Sequence, residues 1–174
     1  PGDAIEVEMA LEAAIGVKGP VYLRLGKKGE PQVHLSPPVF EIGKGIVLRR
    51  GEKIAVLGVG NMLPVAVEVA DRVDNFGVKP TLISFHTIKP LDGDLLEDLF
   101  SNCQRIAVIE EHGLAGGAGS AILEWANERN LDASKVSRFG VKDAFLTGYG
   151  NQSEARRLLG LDGEAIFDAL KGYL

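Results

Sequence analysis

Apolar positions along this chain fall into two alternating patterns. Short uninterrupted runs, such as Ile54 to Leu57 and Arg105 to Ile109, predict buried strands, whereas stretches with apolar residues every three or four positions predict amphipathic helices. Near the start, Asp3 followed by Glu6 matches a capping box, and Ala4, Val7, Leu11 and Ala14 recur at helical spacing. Gly16 and Gly19-Pro20 end that helix, and Val21 to Leu25 reads as one strand. From Gly26 to Pro38 the chain is polar and rich in Gly and Pro, which predicts a linker. One helix and one strand cannot bury a core, so residues 1 to about 35 read as the tail of a domain whose body is missing.

Beyond the linker the alternation becomes regular. Phe40 to Leu48 and Lys53 to Leu57 predict two hairpin-like strands around Arg50-Gly51-Glu52. A helix follows, with Asn61 as its cap, Pro64 in its first turn and Val65, Val69, Val73 and Phe76 as its apolar stripe. Thr81 to Phe85 predicts a strand, and Asp92 caps a helix carrying Leu95, Leu96, Leu99 and Phe100 on one face. Arg105 to Ile109 predicts another strand. After a glycine loop comes a helix with Ala118, Ala121, Ile122, Trp125 and Ala126 inward. Val136 to Phe139 predicts an edge strand, and helices around 154–159 and 164–170 close the chain. The alternation predicts a three-layer α/β/α sandwich with a mostly parallel, mixed sheet.

Composition narrows the function classes. The 174 residues suffice for one substantial core, and a net charge of −5 argues against a nucleic-acid or anionic-membrane surface. No apolar stretch approaches the roughly 20 residues a membrane helix needs, and the start has no signal-peptide pattern, so a cytoplasmic protein is expected. The single Cys103 lacks metal-ligand spacing and reads as a plain thiol. Pro1-Gly2-Asp3 at the start, without a methionine, reads as a piece of a longer chain.

Candidate chemistry is sparse. Gly58-Val59-Gly60-Asn61 lies between a strand and a helix, where a dinucleotide fold puts phosphate-binding glycines, but the third glycine and an acidic residue after the next strand are missing; a tight turn is the preferred reading. Glu110-Glu111-His112 precedes the glycine cluster of Gly116, Gly117 and Gly119, whose helix-start amides could hold an anion or let the loop pass close to another subunit. Neighbours on a strand end point in opposite directions, so no single site is expected to collect both carboxylates and His112, and a structural or interface role is favoured. His34 and His86 read as surface or satisfied core histidines.

The order of segments carries a resemblance. Gly19-Pro20-Val21-Tyr22-Leu23-Arg24-Leu25-Gly26-Lys27, Ile42-Gly43-Lys44-Gly45, Ile54 to Met62, Thr87-Ile88-Lys89-Pro90-Leu91-Asp92, and Glu110-Glu111-His112 with Gly116 to Ser120 together resemble the C-terminal section of transketolase. Glu-Glu-His and a late Gly-Tyr-Gly at 148–150 favour transketolase proper, in its separately encoded C-terminal half. The superfamily also holds deoxyxylulose-phosphate synthase and the beta subunits of 2-oxo acid dehydrogenases, and a non-catalytic docking domain of those types is the alternative.

The resemblance implies an enzyme of the pentose phosphate pathway that transfers two-carbon ketol units between phosphosugars with thiamine diphosphate and Mg²⁺. It implies residues 1–35 as the tail of the pyrimidine-binding middle domain plus linker and 36–174 as the C-terminal domain. The Gly-Asp-Gly motif and the activating Glu of the family are absent, so this piece is expected to bind no cofactor and to be inactive alone, giving scaffold and homodimer contacts to a parent completed by an N-terminal section. Alignment on the family's phosphate-contacting basic residue places Lys27 there, with Arg24 or Lys28 as alternatives.

Overall fold

The computed structural model describes residues 1–27, 29–148 and 150–174. At its centre lies β2 (Ile54–Gly58), every residue of which is buried. Parallel strands flank it on both sides: β3 (Thr81–Ser84) in register Val56 to Leu82, and β4 (Arg105–Gly113) in register Val56 to Ala107. Parallel strands buried on both faces are apolar throughout, which is why these runs show no alternation.

The outer positions go to β1 (Ile46–Arg49), antiparallel to β3, and to β5 (Val136–Val141), parallel to β4, giving the order β1-β3-β2-β4-β5. The hairpin expected between the first two of these strands does not form. Both edges of β2 are occupied, and the Arg50-Gly51-Glu52 connection instead crosses the start of β3. There Gly51 N donates to Thr81 Oγ1 at 3.0 Å and Glu52 N to the Lys79 carbonyl at 3.2 Å. A Cβ at Gly51 would collide with the Lys79 carbonyl, so glycine permits this crossing.

Helices cover both faces. On one side α3 (Gly93–Asn102) and α4 (Ala118–Glu128) bury Leu95, Leu96, Leu99, Phe100, Ile122 and Trp125 against Leu57, Ile83 and Ile106. On the other, α2 (Leu63–Asn75) and α6 (Gly163–Leu170) bury Val65, Val69, Val73, Ile166 and Leu170 against Val56, Leu82 and Ala107. Each such side chain contributes roughly 1.5–3 kcal/mol of burial. This is the expected three-layer α/β/α sandwich. The cap of α3 forms as read, Asp92 accepting from Leu95 N, and α5 (Gln152–Leu158) starts on a capping box of Asn151 and Glu154. Burial pushes the Cys103 thiol up, as suits an inert core thiol.

The first 35 residues depart from expectation in two ways. Helix α1 (Ala4–Ile15) forms, with Asp3 accepting from Glu6 N at 3.0 Å, but the Ala4–Val7–Leu11–Ala14 stripe is not its buried face. The buried positions are Glu6 and Ala10, while Leu11 is 56% and Ile15 81% exposed. Glu6 is buried because its carboxylate accepts from Gly2 N at 2.6 Å and pairs with His34 Nε2 at 2.7 Å. The residues from Val21 to Leu25 are not in a strand, because no sheet edge of the described residues runs beside them; Tyr22 is 87% exposed.

Candidate functional site

All parallel strands of a sheet point their carboxyl ends to one edge, and β3 and β4 lie on opposite sides of β2, the chain reaching β3 through α2 on one face and β4 through α3 on the other. That reversal opens a crevice beyond the strand ends. A cavity of about 850 Å³ occupies it, walled by Val59 to Asn61 after β2, His86 to Pro90 after β3, Glu111 and His112 at the end of β4, and Gln152 of α5; Pro20 to Lys27 form the opposite wall.

Among the described residues, three cationic side chains line this cavity: Arg24, Lys27 and Lys89. Among the described residues none of them takes part in an ion pair. The one carboxylate among the described lining residues, Glu111, is already engaged. Arg156 Nε donates to it at 2.8 Å, Gln152 Nε2 at 3.1 Å, and the Asn61 amide also donates to it. Burial pushes the Glu111 carboxyl up, but these donors and the Arg156 charge outweigh it and hold it below the usual carboxylate range. The cavity is therefore positive, and its apolar lining from Phe40, Ile42, Val59 and Ile88 lowers the competition from water.

Adjacent residues of the β4 end do separate, though not all three. Glu110 turns away, fully buried, and accepts from Ala118 N at 2.7 Å and Gly119 N at 2.9 Å. The anion that the glycine-rich helix start could hold is thus the chain's own carboxylate. A Cβ at Gly117 would collide with that carboxylate, and one at Gly119 would lie 2.7 Å from Arg138 Cδ, while Gly116 has φ +76°. Glu111 and His112 instead line the same cavity. The pairing of β4 with β5 is irregular between Ile109 and Gly113, and this break undoes the strict alternation that separates neighbours on a regular strand.

His112 meets Arg24, whose Nη1 donates to the imidazole Nε2. Burial, and then the charge of Arg24, lower the pKa of His112 against the opposing pull of Glu110 and Glu111. His86, across the cavity, stacks on Phe40 with ring centroids 4.1 Å apart, and its Nδ1 pairs with Thr87 Oγ1 at 2.8 Å. Burial drives its pKa down to about 4. His34 is a satisfied core histidine held by Glu6. Lys28 and Tyr149, the latter in the late Gly-Tyr-Gly, lie outside the described residues.

The turn after β2 behaves as a tight turn. Its amides are used internally: Val59 N donates to the Ile109 carbonyl at 2.9 Å and Met62 N to the Val59 carbonyl at 3.2 Å. A Cβ at Gly58 would lie 2.7 Å from Leu63 Cα, so this glycine serves the approach of α2 to β2. Asn61 does not cap α2, which begins after a short 3₁₀ turn at Gly60–Met62; its side chain reaches across to Glu111. Asn61, Lys89, Gln152 and Arg156 escape a sequence reading. The available signal is positional: Asn61 and Lys89 lie in the connections that leave the carboxyl ends of β2 and β3, where crevice residues belong.

A mixed sheet wound in both directions, with its cavity at the reversal, defines a doubly wound α/β domain with a crevice suited to a small anionic ligand. Residues 43–166 match the sequence profile of the transketolase C-terminal domain, and the chain belongs to that family. It is 33% identical over 172 residues to a 1-deoxy-D-xylulose-5-phosphate synthase of Caldanaerobacter subterraneus, covering 98% of this chain and 27% of the synthase. It is 30% identical over 168 residues to one of the subunits of the apulose-4-phosphate transketolase of Actinobacillus succinogenes, covering 97% of this chain and 54% of that polypeptide. Among solved structures, a split-gene transketolase described as an inactive beta4 tetramer superposes with a TM-score of 0.89 at 31% identity, over 99% of this chain and 55% of the other. The chain thus spans about a quarter to a half of these relatives. No helix among the described residues is long and apolar enough to cross a membrane.

Proposed function

We propose that this chain is the C-terminal section of a thiamine-diphosphate-dependent, transketolase-like enzyme that transfers two-carbon ketol units between phosphosugars. In this reading residues 1–35 are the tail of the pyrimidine-binding middle domain with its linker, and residues 36–174 are the C-terminal domain. The observation that carries it is the cavity where Arg24, Lys27 and Lys89 stand without carboxylate partners among the described residues. Such a site suits the phosphate end of a sugar phosphate. Binding energy gathered there, remote from the reacting carbon, can be used to position that carbon. Arg24 offers a two-pronged match to phosphate, and Lys27 and Lys89 add point charges. Glu110 and the glycine loop supply the scaffold, and a second copy of the chain and an N-terminal section complete the parent.

Among the described residues the donor set does not fit thiamine diphosphate with Mg²⁺. The cavity carboxylate Glu111 is saturated by Asn61, Gln152 and Arg156, and among the described residues no three potential ligands cluster to hold a metal. In this reading the upstream part of the parent holds the cofactor.

The test is to mix this chain with that upstream part, thiamine diphosphate and Mg²⁺, and to assay ketol transfer from a ketose phosphate. Transfer that requires both pieces is expected. The similarity to the synthase relatives over 98% of the chain favours a second reading, a parent that makes 1-deoxy-D-xylulose 5-phosphate. Formation of that product without ketol transfer would select it, and silence in both assays with a bound, folded partner would remove the catalytic reading.

A further inference from the structure

We infer that His112 is a positioning residue that holds the Arg24 guanidinium in the cavity as an uncompensated charge for an incoming phosphate. The inference rests on the phosphate role proposed for Arg24. Arg24 sits on an exposed segment without regular structure, so nothing in its own backbone fixes its long side chain. Among the described residues its side-chain partner is the imidazole of His112, brought from 88 positions away by the irregular end of β4. The nearby carboxylates are occupied: Glu111 by Asn61, Gln152 and Arg156, Glu110 by the start of α4.

The chemistry of the pair defines the role. A guanidinium only donates, so the facing Nε2 must offer a lone pair, and the imidazole proton sits on Nδ1. A neutral acceptor orients the guanidinium yet leaves its charge intact, whereas a carboxylate there would neutralise it and compete with phosphate. Protonating His112 removes the acceptor and sets two cations against each other. The charges that act on His112 are Arg24 from the facing segment and Glu110 and Glu111 from β4 itself; Lys27 from the facing segment and His86 and Lys89 from the loop after β3 line the same cavity, with Arg138 of β5 and Arg156 of α5 beside it.

The test uses the enzyme assembled from this chain and its upstream part, comparing R24A, H112A, H112Q and H112D. H112A is expected to raise KM for the phosphorylated donor roughly fivefold with little change in kcat, H112Q to restore it, and H112D to raise KM as R24A does. KM of the unaltered enzyme should rise as pH falls below the ordinary imidazole range, and this rise should vanish in H112Q. If R24A leaves KM unchanged, the phosphate reading of Arg24 itself fails. If R24A raises KM while H112A does not, or if H112Q behaves like H112A, the positioning role is overturned. An activity-free check is the imidazole NMR titration of this chain: R24A should raise the pKa of His112, and an unmoved pKa would contradict the contact.

Discussion

At the scale of single residues, His86 shows how a cavity wall stores a pH response. Its unfolded value is near 6.5 and its folded value about 4, with burial as the main cause. Between those values the unfolded chain binds a proton that the folded one refuses. Stability from this group is thus fully present above pH 6.5 and falls by up to about 1.4 kcal/mol per pH unit on the way down to pH 4. Urea unfolding at pH 7 and pH 5 should show a loss that shrinks in His86→Gln; equal losses in both proteins would mean His86 is protonated freely in the fold. His112 moves in the same direction, so the comparison is best repeated in H112Q. Residue types told little of this in advance. A histidine after a strand is visible in sequence, but its stacking on Phe40, from a loop 46 positions earlier, is not.

At the scale of elements, the buried strands and the faces of α3 and α4 are legible in the sequence, because fully buried strands and amphipathic helices leave their periods in the apolar pattern. Strand pairing is not. Proximity in sequence favours a hairpin between Phe40–Leu48 and Lys53–Leu57, but β3 and β4 take both edges of β2, a choice that depends on residues far along the chain. The α1 stripe misleads for a related reason: a buried carboxylate, Glu6, is stabilised by hydrogen bonding with distant His34 rather than by apolar area. Of the site, Arg24, Lys27, Glu111 and His112 can be singled out from sequence, but their shared cavity with Lys89 depends on tertiary placement. Glu110 also acts at this scale, since its carboxylate anchors the start of α4. Glu110→Ala leaves two buried amides without an acceptor and should cost about 3 kcal/mol in urea unfolding; a loss well below 1 kcal/mol would mean that α4 is held mainly by Ile122 and Trp125.

At the scale of the whole molecule, the first 35 residues are tied down by a small polar clamp. Asp3 accepts from Glu6 N, Val33 N and His34 N, at 3.0, 3.0 and 2.8 Å, and Glu6 holds Gly2 and His34. The clamp joins the start of α1 to the linker and so helps to keep the Arg24 wall over the cavity. Asp3→Ala should speed proteolytic cleavage between Gly26 and Ser36 while leaving hydrogen exchange in β2 and β4 unchanged; unaltered cleavage would show that other contacts hold the segment. The strand order carries a further consequence, for assembly. As the chain emerges during synthesis, β1 appears before β3, its one pairing partner among the described residues, and α2 separates the two. The strand made first in this sheet therefore has no edge to join until β3 has been made, and its backbone stays unpaired for that interval.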